Sequence, residues 1–209
     1  MEINMYLDRY KAMRYNFFRW RYELNVLYKL SLALTFACLT GLLAQYPRVY
    51  LQGNPVPVTG QVFGVLFAGV ILGTWGGVSQ VMYLGIGAAG VPWFSGFGSG
   101  LAYIAGPTGG YLIGFVISAF FIGYMVDRYI SLRRFSPMLG LMLFSTFALI
   151  YVPGLIQLYF WMGASVGIWY LLAIGVVPFI IVDLIKAVIA AGIASSITPK
   201  SAYGKEIDT

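Results

Sequence analysis

Two long stretches without a single charged residue limit this chain to one class of fold. Residues 49–126 and 135–182 contain no Asp, Glu, Lys or Arg, and each stretch can hold two or more helices of about 20 residues, the length that crosses a bilayer. Only 10% of the 209 residues are charged and 60% are hydrophobic, whereas a soluble domain carries about 25% charged residues. The sequence therefore predicts an all-α integral membrane protein.

Six apolar segments are expected to cross the membrane as helices. They cover residues 30–45, 60–73, 76–90, 108–126, 137–160 and 165–196. The second and third segments are short and rich in Gly, which is tolerated where a helix lines a protein cavity instead of lipid. We therefore expect a transmembrane, substrate-binding domain over residues 30–197 and a cytoplasmic tail over residues 198–209.

The first 29 residues have a different composition. Residues 1–29 combine six basic residues with several Tyr, Phe and Trp, and they lack the apolar core and cleavage site of a signal peptide. A basic, aromatic helix that lies along the anionic cytoplasmic leaflet is the simplest interpretation. Nucleic-acid binding is not expected, because the segment leads directly into a membrane span.

Basic residues are distributed unevenly among the loops. They concentrate in residues 1–29, in the turn at 127–134 and in the tail, whereas the alternate loops contain only Arg48. Since Lys and Arg favour cytoplasmic loops, we expect a multi-pass cell-membrane protein with both termini in the cytoplasm. The loops between the first and second spans and between the third and fourth then face outward. They are long enough to fold over a ligand pocket, with ordinary turns as the alternative.

Asp183 and Lys186 are the two charged residues that lie deep inside an apolar segment. A charge at this depth costs roughly 2.5–3.5 kcal/mol on insertion scales, so such residues usually pair and mark a ligand or ion path. At a spacing of i, i+3 the two side chains share one face of a helix. An ion pair that serves packing alone is the alternative, although apolar residues of similar size would serve packing better.

Residues capable of other chemistry are scarce. The chain contains no His, which removes the commonest general base and the commonest transition-metal ligand. It also contains no Gly-Lys-Ser/Thr nucleotide-binding loop. We therefore expect neither an enzyme nor a cofactor or metal site. The one cysteine, Cys38, is interpreted as a small buried hydrophobe.

Polar and aromatic residues around the outward loops are candidates for a pocket. Residues 106–111 read GPTGGY, where Pro107 suits the first turn of a helix and the glycines would let N–H groups approach a carboxylate. Thr108 and Ser99 add hydroxyl groups, and the amide of Gln61 both donates and accepts hydrogen bonds. Aromatic residues, which could instead form an interfacial belt, are the expected pocket walls: Trp93, Phe97, Tyr103 and Tyr111.

A stripe of small residues marks one face of the first span. Ala33, Ala37 and Gly41 are spaced four residues apart, so that another helix backbone could approach closely along this face. Packing within the bundle and docking of a separate membrane subunit both fit this pattern.

Three segments, taken in order, resemble the BioY family. They are PVPVTGQVFGVLFAG (55–69), GVPWFSGFGSGLAYIAGPTGGYLIGF (90–115) and VPFIIVDLIKAVIAAGIA (177–194), and the similarity extends over roughly residues 44–197. The resemblance implies the six-helix, biotin-binding S component of an energy-coupling factor (ECF) transporter, with an outward-facing pocket. It also implies a transmembrane partner subunit, contacted by the small-residue stripe, and ATPase subunits that power release.

Biotin matches the candidate residues chemically. Its ureido ring presents two N–H donors beside a carbonyl, so Asp183 would accept from an N–H while Lys186 or Gln61 donates to the carbonyl. Some family members carry a basic residue near position 98 or 99, which this chain lacks, so Ser99, Thr108 or Lys186 would bind the carboxylate. An S component for another vitamin is the alternative function, followed by an intramembrane enzyme and a purely structural membrane subunit.

Overall fold

In the computed structural model, which describes residues 2–208, the chain folds into helices joined by loops and one small two-stranded ribbon. The helices are α1 (Glu2–Glu23), α2 (Val26–Gln45), α3 (Gln61–Leu72), α4 (Thr74–Ala88), α5 (Gly100–Ile104), α6 (Gly109–Arg128), α7 (Phe135–Phe144), α8 (Tyr151–Trp161), α9 (Ile168–Gly175) and α10 (Val177–Ile197). Strands β1 (Arg48–Val49) and β2 (Val58–Thr59) pair antiparallel, with Arg48 opposite Thr59.

Within residues 2–208, four helices are long and apolar enough to cross a bilayer. They are α2, α6, the continuous helix Phe135–Trp161 and α10. The segments predicted second and third form α3 and α4, which have only 12 and 15 residues. Gly73 separates them with a φ of 63°, a left-handed conformation that favours glycine. The mostly helical membrane fold is confirmed, whereas six spanning helices stay a prediction.

Helix α6 lies at the centre of the bundle and packs against α3, α4 and α8. Glycines allow this close approach, because a Cβ added at Gly114 would lie 2.6 Å from the Cα of Ile150. A Cβ added at Gly69 of α3 would lie 2.9 Å from the Cβ of Ile122. Small residues at helix contacts are the usual means of packing in a membrane, where no hydrophobic force drives helices together.

The predicted sixth span is not one continuous helix, and Pro178 explains the break. Proline has no N–H, so it cannot donate to the carbonyl of Ile174 one turn earlier. Asn54 donates to that carbonyl instead, at 2.8 Å. The next carbonyl, of Gly175, accepts from the hydroxyl of Tyr111 at 2.8 Å. Two side chains from other elements therefore hold the junction between α9 and α10.

A π-helical segment, Ser145–Ile150, joins α7 to α8. The N–H of Tyr151 donates to the carbonyl of Thr146, five residues earlier, and Pro153 has no N–H to donate to Leu149. Such wider turns inside α-helices are frequent at functional sites. Here the turn precedes Tyr151, which lines the cavity described below.

The small-residue stripe of α2 lies inside the bundle. Ala33 and Ala37 are fully buried and Gly41 is buried, and a Cβ added at Gly41 would lie 3.2 Å from the Cβ of Trp93. The structure therefore shows the packing alternative. Contact of these three residues with another subunit stays a prediction, and it would require this buried face to open. Cys38 is exposed, so the interpretation of Cys38 as a buried hydrophobe was wrong.

Helix α1 crosses the last turns of α3 and α10. The hydroxyl of Tyr10 and the guanidinium of Arg14 each donate to the carbonyl of Ser196, at 2.9 Å. Phe18 is buried in one cluster with Ile71, near the end of α3. The helix is thus attached to the end of the bundle that lies opposite the first turn of α3.

Arg21 of α1 also reaches the end of α6. Its guanidinium is buried and pairs with Asp127 at 2.5 Å. The hydroxyl of Tyr203 donates to the same carboxylate at 2.9 Å. Tyr203 of the tail therefore binds the same Asp127 carboxylate that joins α1 to α6.

Residues 198–208, the tail, fold back onto the same end of the bundle. Arg133 is fully buried and pairs with Glu206 at 2.8 Å. Burial alone would raise the pKa of the Glu206 carboxyl. The N–H groups of Tyr203 and Gly204 and the Arg133 guanidinium outweigh burial and hold the pKa of this carboxyl below its usual value. The tail is consequently an ordered part of the fold.

Candidate ligand-binding site

A cavity of about 530 Å³, including its opening, lies at the first turns of α3 and α6. Small-molecule sites commonly have mostly apolar walls and a few polar groups. The apolar walls come from several elements and include Val56, Val62, Leu112, Phe115, Ile150 and Phe179. Six of the predicted site residues line the cavity: Gln61, Tyr103, Thr108, Tyr111, Asp183 and Lys186.

The Asp183–Lys186 ion pair forms the polar part of the wall contributed by α10. The Nζ of Lys186 lies 2.7 Å from Oδ1 of Asp183, and the two side chains are 14% and 5% exposed. Tyr151 donates to Oδ2 of Asp183 at 2.7 Å, and Lys186 also donates to the carbonyl of Thr59 at 2.5 Å. A carboxylate has about four acceptor positions and an ammonium has three donors. Both groups thus retain capacity for a ligand.

A chain of hydrogen bonds extends from this pair along the cavity. Thr59, whose carbonyl binds Lys186, donates through its hydroxyl to the amide oxygen of Gln61 at 2.9 Å. The amide nitrogen of Gln61 donates to the hydroxyl of Tyr83, also at 2.9 Å. The amide orientation of Gln61 is therefore fixed, and its second N–H is available to a ligand.

Two tyrosines of the predicted wall have hydroxyl groups that bind the backbone. Tyr111 donates to Gly175 at the α9–α10 junction, as described above, and Tyr103 donates to the carbonyl of Ser95 at 3.1 Å. The ring of Tyr103 stacks on Phe94, with 5.0 Å between the ring centroids. These bonds fix the rings, so both residues act mainly as rigid apolar walls.

The structure does not bring Trp93, Phe97 or Ser99 to this cavity. The indole N–H of Trp93 donates to the carbonyl of Tyr83 at 2.9 Å, and its side chain packs on Gly41 within the bundle. Phe97 is 64% exposed, and Ser99 is the residue that precedes α5. The clustering of aromatic residues around this loop did not reveal which rings face inward.

The glycines of GPTGGY pack against α8. A Cβ added at Gly110 would lie 2.8 Å from the Cβ of Gln157, and the amide of Gln157 donates to the carbonyls of Ile104 and Gly106 at 2.5 and 2.7 Å. In the preceding loop, the N–H of Gly98 donates to Phe94 at 3.2 Å. The N–H groups of Gly98 and Gly109 thus bind backbone carbonyls, and an anion site made of glycine N–H groups stays a prediction.

Three polar residues of the cavity were not predicted from the sequence: Thr59, Ser95 and Tyr151. Tyr151 is nearly buried, at 3% exposure, and binds Asp183. Ser95 also lines the cavity, and its buried hydroxyl has no hydrogen-bond partner among the described residues. A tyrosine inside an apolar helix and a serine in a Gly-rich loop carry no distinguishing sequence signal.

A family profile and individual relatives place this chain in the same protein family. The BioY family profile matches residues 15–202. A probable biotin transporter BioY from Methanothermobacter thermautotrophicus is 51% identical over 146 residues, which cover 68% of this chain and 93% of the relative. A probable biotin transporter BioY from Pyrococcus horikoshii is 38% identical over 167 residues, which cover 79% of this chain and 93% of the relative.

One solved structure shares the fold. The crystal structure of the S-component for biotin from an ECF-type ABC transporter superposes with a TM-score of 0.73 at 24% identity, covering 82% of this chain and 93% of that chain. At this identity the likeness concerns the fold alone. Since the family profile spans most of the sequence and the relatives align over nearly their whole lengths, the chain belongs to the BioY family.

Proposed function

We propose that this chain acts in biotin uptake as the membrane-embedded, biotin-binding subunit of an ECF-type transporter. The observation that carries the proposal is the buried Asp183–Lys186 pair, which lines a mostly apolar cavity and retains hydrogen-bonding capacity. Relatives named as biotin transporters and the shared fold of an S-component for biotin support it. Those names also agree with the expectation that the chain is not an enzyme.

The ureido ring of biotin fits the polar wall. Asp183 accepts from a ureido N–H, while the remaining donor of Lys186 or Gln61 binds the ureido carbonyl. The thiolane ring and the hydrocarbon chain occupy the apolar space beside Leu112 and Phe115. An analogue without the ureido groups would leave buried polar groups unpaired, which costs about 1–3 kcal/mol for each group.

Six membrane-spanning segments with an outward-facing pocket form the second part of the proposal. They are α2, α3, α4, α6, the helix Phe135–Trp161 and the α9–α10 pair. The cavity lies at the first turns of α3 and α6, whereas α1 and the tail bind the last turns of the same helices. If the basic end faces the cytoplasm, the cavity faces outward.

Helix α1 and the rest of residues 1–29 are proposed to lie on the cytoplasmic leaflet. An exposed row of apolar and aromatic side chains follows a spacing of four and three residues along α1: Tyr6, Tyr10, Met13, Phe17 and Trp20. Arg9, Lys11 and Arg19 supply positive charge along the same helix. A helix with both features binds an anionic membrane surface.

Cysteine labelling tests this topology. Ser131 and Ser201 are exposed, and Cys38 is the one native cysteine, so single cysteines can be placed at either position in a Cys38→Ser background. Both positions should react with a membrane-impermeant thiol reagent from the cytoplasmic side alone. Reaction from the outside would reverse the proposed orientation.

A transmembrane partner and ATPase subunits complete the proposed transporter. The chain has no nucleotide-binding loop, so energy for release must come from other subunits. Copurification of the tagged chain with such subunits from its own membranes tests this part. Recovery of the chain alone, with full uptake activity, would contradict it.

A panel of vitamins in a thermal-unfolding assay tests the ligand and separates the alternative S-component function. A ligand present at about 100 times its Kd stabilises the folded state by about 2.7 kcal/mol. Biotin should therefore raise the unfolding temperature of the purified chain, and other vitamins should not. A rise with another vitamin and none with biotin would favour the alternative.

A further inference from the structure

Ser95 is a buried polar residue whose hydrogen bonding is incomplete. Its side chain is 7% exposed and lines the ligand cavity, yet its hydroxyl has no partner among the described residues. Leaving such a group unpaired costs about 1–3 kcal/mol, so each instance in a native fold calls for an explanation. A hydroxyl that faces a binding cavity is explained if the ligand supplies the partner.

Ser95 also belongs to a second, adjoining cavity. This cavity shares Ser95, Tyr103 and Thr108 with the first and is further lined by Tyr50. The ligand space therefore continues from the Asp183–Lys186 wall toward the loop that precedes α5. Ser95 and Thr108 supply hydroxyl groups at this junction.

Arg48 lies beside the same loop. Its guanidinium is stacked over the rings of Tyr50 and Phe97, at 5.3 and 5.9 Å from their centroids. A Cβ added at Gly96, the residue after Ser95, would lie 3.7 Å from its Nη1. Arg48 is half-buried, and no carboxylate of the described side chains forms an ion pair with it.

The position of Arg48 is fixed by neighbours on both sides. It donates to the amide oxygen of Gln45 at 3.0 Å, and the amide nitrogen of Gln45 donates to the carbonyl of Phe94 at 2.8 Å. Arg48 also pairs through its strand with Thr59, whose carbonyl binds Lys186. A fixed positive charge, with no ion-pair partner among the described side chains, thus lies beside the loop that contains Ser95.

We propose that Ser95 and Arg48 form the carboxylate subsite of the ligand, with Ser95 as hydrogen-bond donor and Arg48 as the compensating charge. This assignment rests on the proposed function. The ureido ring and the carboxylate are at opposite ends of biotin, so an Asp183 that binds the ureido ring leaves the carboxylate for the loop side. The charge of Lys186 is already neutralised by Asp183, so Arg48 is the better counter-ion for the carboxylate.

Two ligands and matched variants test the subsite. Equilibrium titrations with biotin and with uncharged biotinamide are made on the wild type, Ser95→Ala and Arg48→Gln. Loss of a hydrogen bond to a charged group should weaken biotin binding about tenfold or more in Ser95→Ala. The loss for biotinamide should be at least about threefold smaller, because hydrogen bonds to a charged group are about twice as strong. Arg48→Gln should also weaken biotin binding preferentially, most strongly at low salt.

Ser118→Ala is the matched control. Ser118 is also buried with an unpartnered hydroxyl, but it does not line the ligand cavity. The same chemical change there should leave the affinity for both ligands unchanged. Ser95→Thr, which keeps the hydroxyl, and Arg48→Lys, which keeps the charge, should each retain most of the preference for biotin over biotinamide.

Unchanged biotin affinity in Ser95→Ala and in Arg48→Gln would overturn the carboxylate assignment. Equal losses for biotin and biotinamide would overturn it as well, since they would indicate a structural role for the loop. If the wild type binds neither ligand, the proposed function itself is wrong, and the subsite is overturned with it. Should Ser95→Ala not fold, the two Arg48 variants decide the question alone.

Discussion

Replacing Asp183 by Asn removes one charge from an ion pair whose side chains are largely buried. The side chain keeps its size and one oxygen, which can still accept from Tyr151, but it can no longer neutralise Lys186. The ammonium would then be left with the carbonyl of Thr59 as its described partner, at 2.5 Å. Biotin would lose a charged acceptor for its ureido N–H.

Both losses have known magnitudes. A hydrogen bond to a charged group contributes about 1.5–3 kcal/mol, so we expect Asp183→Asn to weaken biotin binding at least about tenfold. Removing one member of a buried ion pair also costs about 3–5 kcal/mol of stability, because the remaining charge is uncompensated. With Asp183 only 5% exposed and 2.7 Å from Lys186, solvent should relieve little of either loss.

Isothermal titration measures the affinity, and thermal unfolding of the ligand-free protein measures the stability. Asp183→Asn combined with Lys186→Met is the informative control, because it removes the uncompensated charge together with the acceptor. We expect the double variant to recover stability relative to Asp183→Asn while its affinity for biotin stays low. Wild-type affinity in either variant would refute the reasoning and make the pair purely structural.

Three further predictions concern other contacts. Tyr151→Phe removes a donor to the buried carboxylate and should weaken biotin binding severalfold; unchanged affinity would place this hydroxyl outside the site. Gly41→Leu should destabilise the isolated chain by about 1–3 kcal/mol, because the new side chain meets Trp93. Unchanged unfolding with lost subunit assembly would instead support a docking role. Since the folded pKa of Glu206 lies below the usual pKa of a glutamate, its bond to Arg133 stabilises the tail above that usual pKa and is lost as the pH falls through the folded pKa. Protection factors of the tail amides, which correct for the intrinsic pH dependence of hydrogen exchange, should therefore fall in acid, and a Glu206→Gln variant should not show this fall.

The fold and the ion pair could be predicted because their causes are local. A run of apolar residues dictates a membrane helix by its length, and a spacing of i, i+3 places Asp183 and Lys186 on one face. Gln61, Thr108 and Tyr111 could be chosen because polar groups beside long loops usually serve a pocket. The break between α9 and α10 follows from Pro178. The sequence alone could not show that Asn54 would donate to the Ile174 carbonyl, which Pro178 leaves without a helical donor.

The remaining features depend on how distant segments meet. Tyr151 faces the cavity just after the π-helical turn, and nothing in its apolar neighbourhood indicates such a turn. Trp93 and Ser95 are two residues apart in one loop, yet the former packs on α2 and the latter lines the cavity. The small-residue stripe of α2 fits helix packing and subunit docking equally well in the sequence. Only the structure shows that Trp93 packs against Gly41. These are questions of tertiary packing.

Equilibrium titration of the purified chain with biotin, beside a variant in which Asp183→Lys and Lys186→Asp exchange the two charges, tests the central claim most directly. The exchanged pair still satisfies packing and insertion but misplaces both groups relative to the ligand. We predict saturable binding of biotin to the wild type and at least about tenfold weaker binding to the folded exchange variant. Absence of saturable binding to the wild type at micromolar biotin, or equal affinity in the two proteins, would contradict the account.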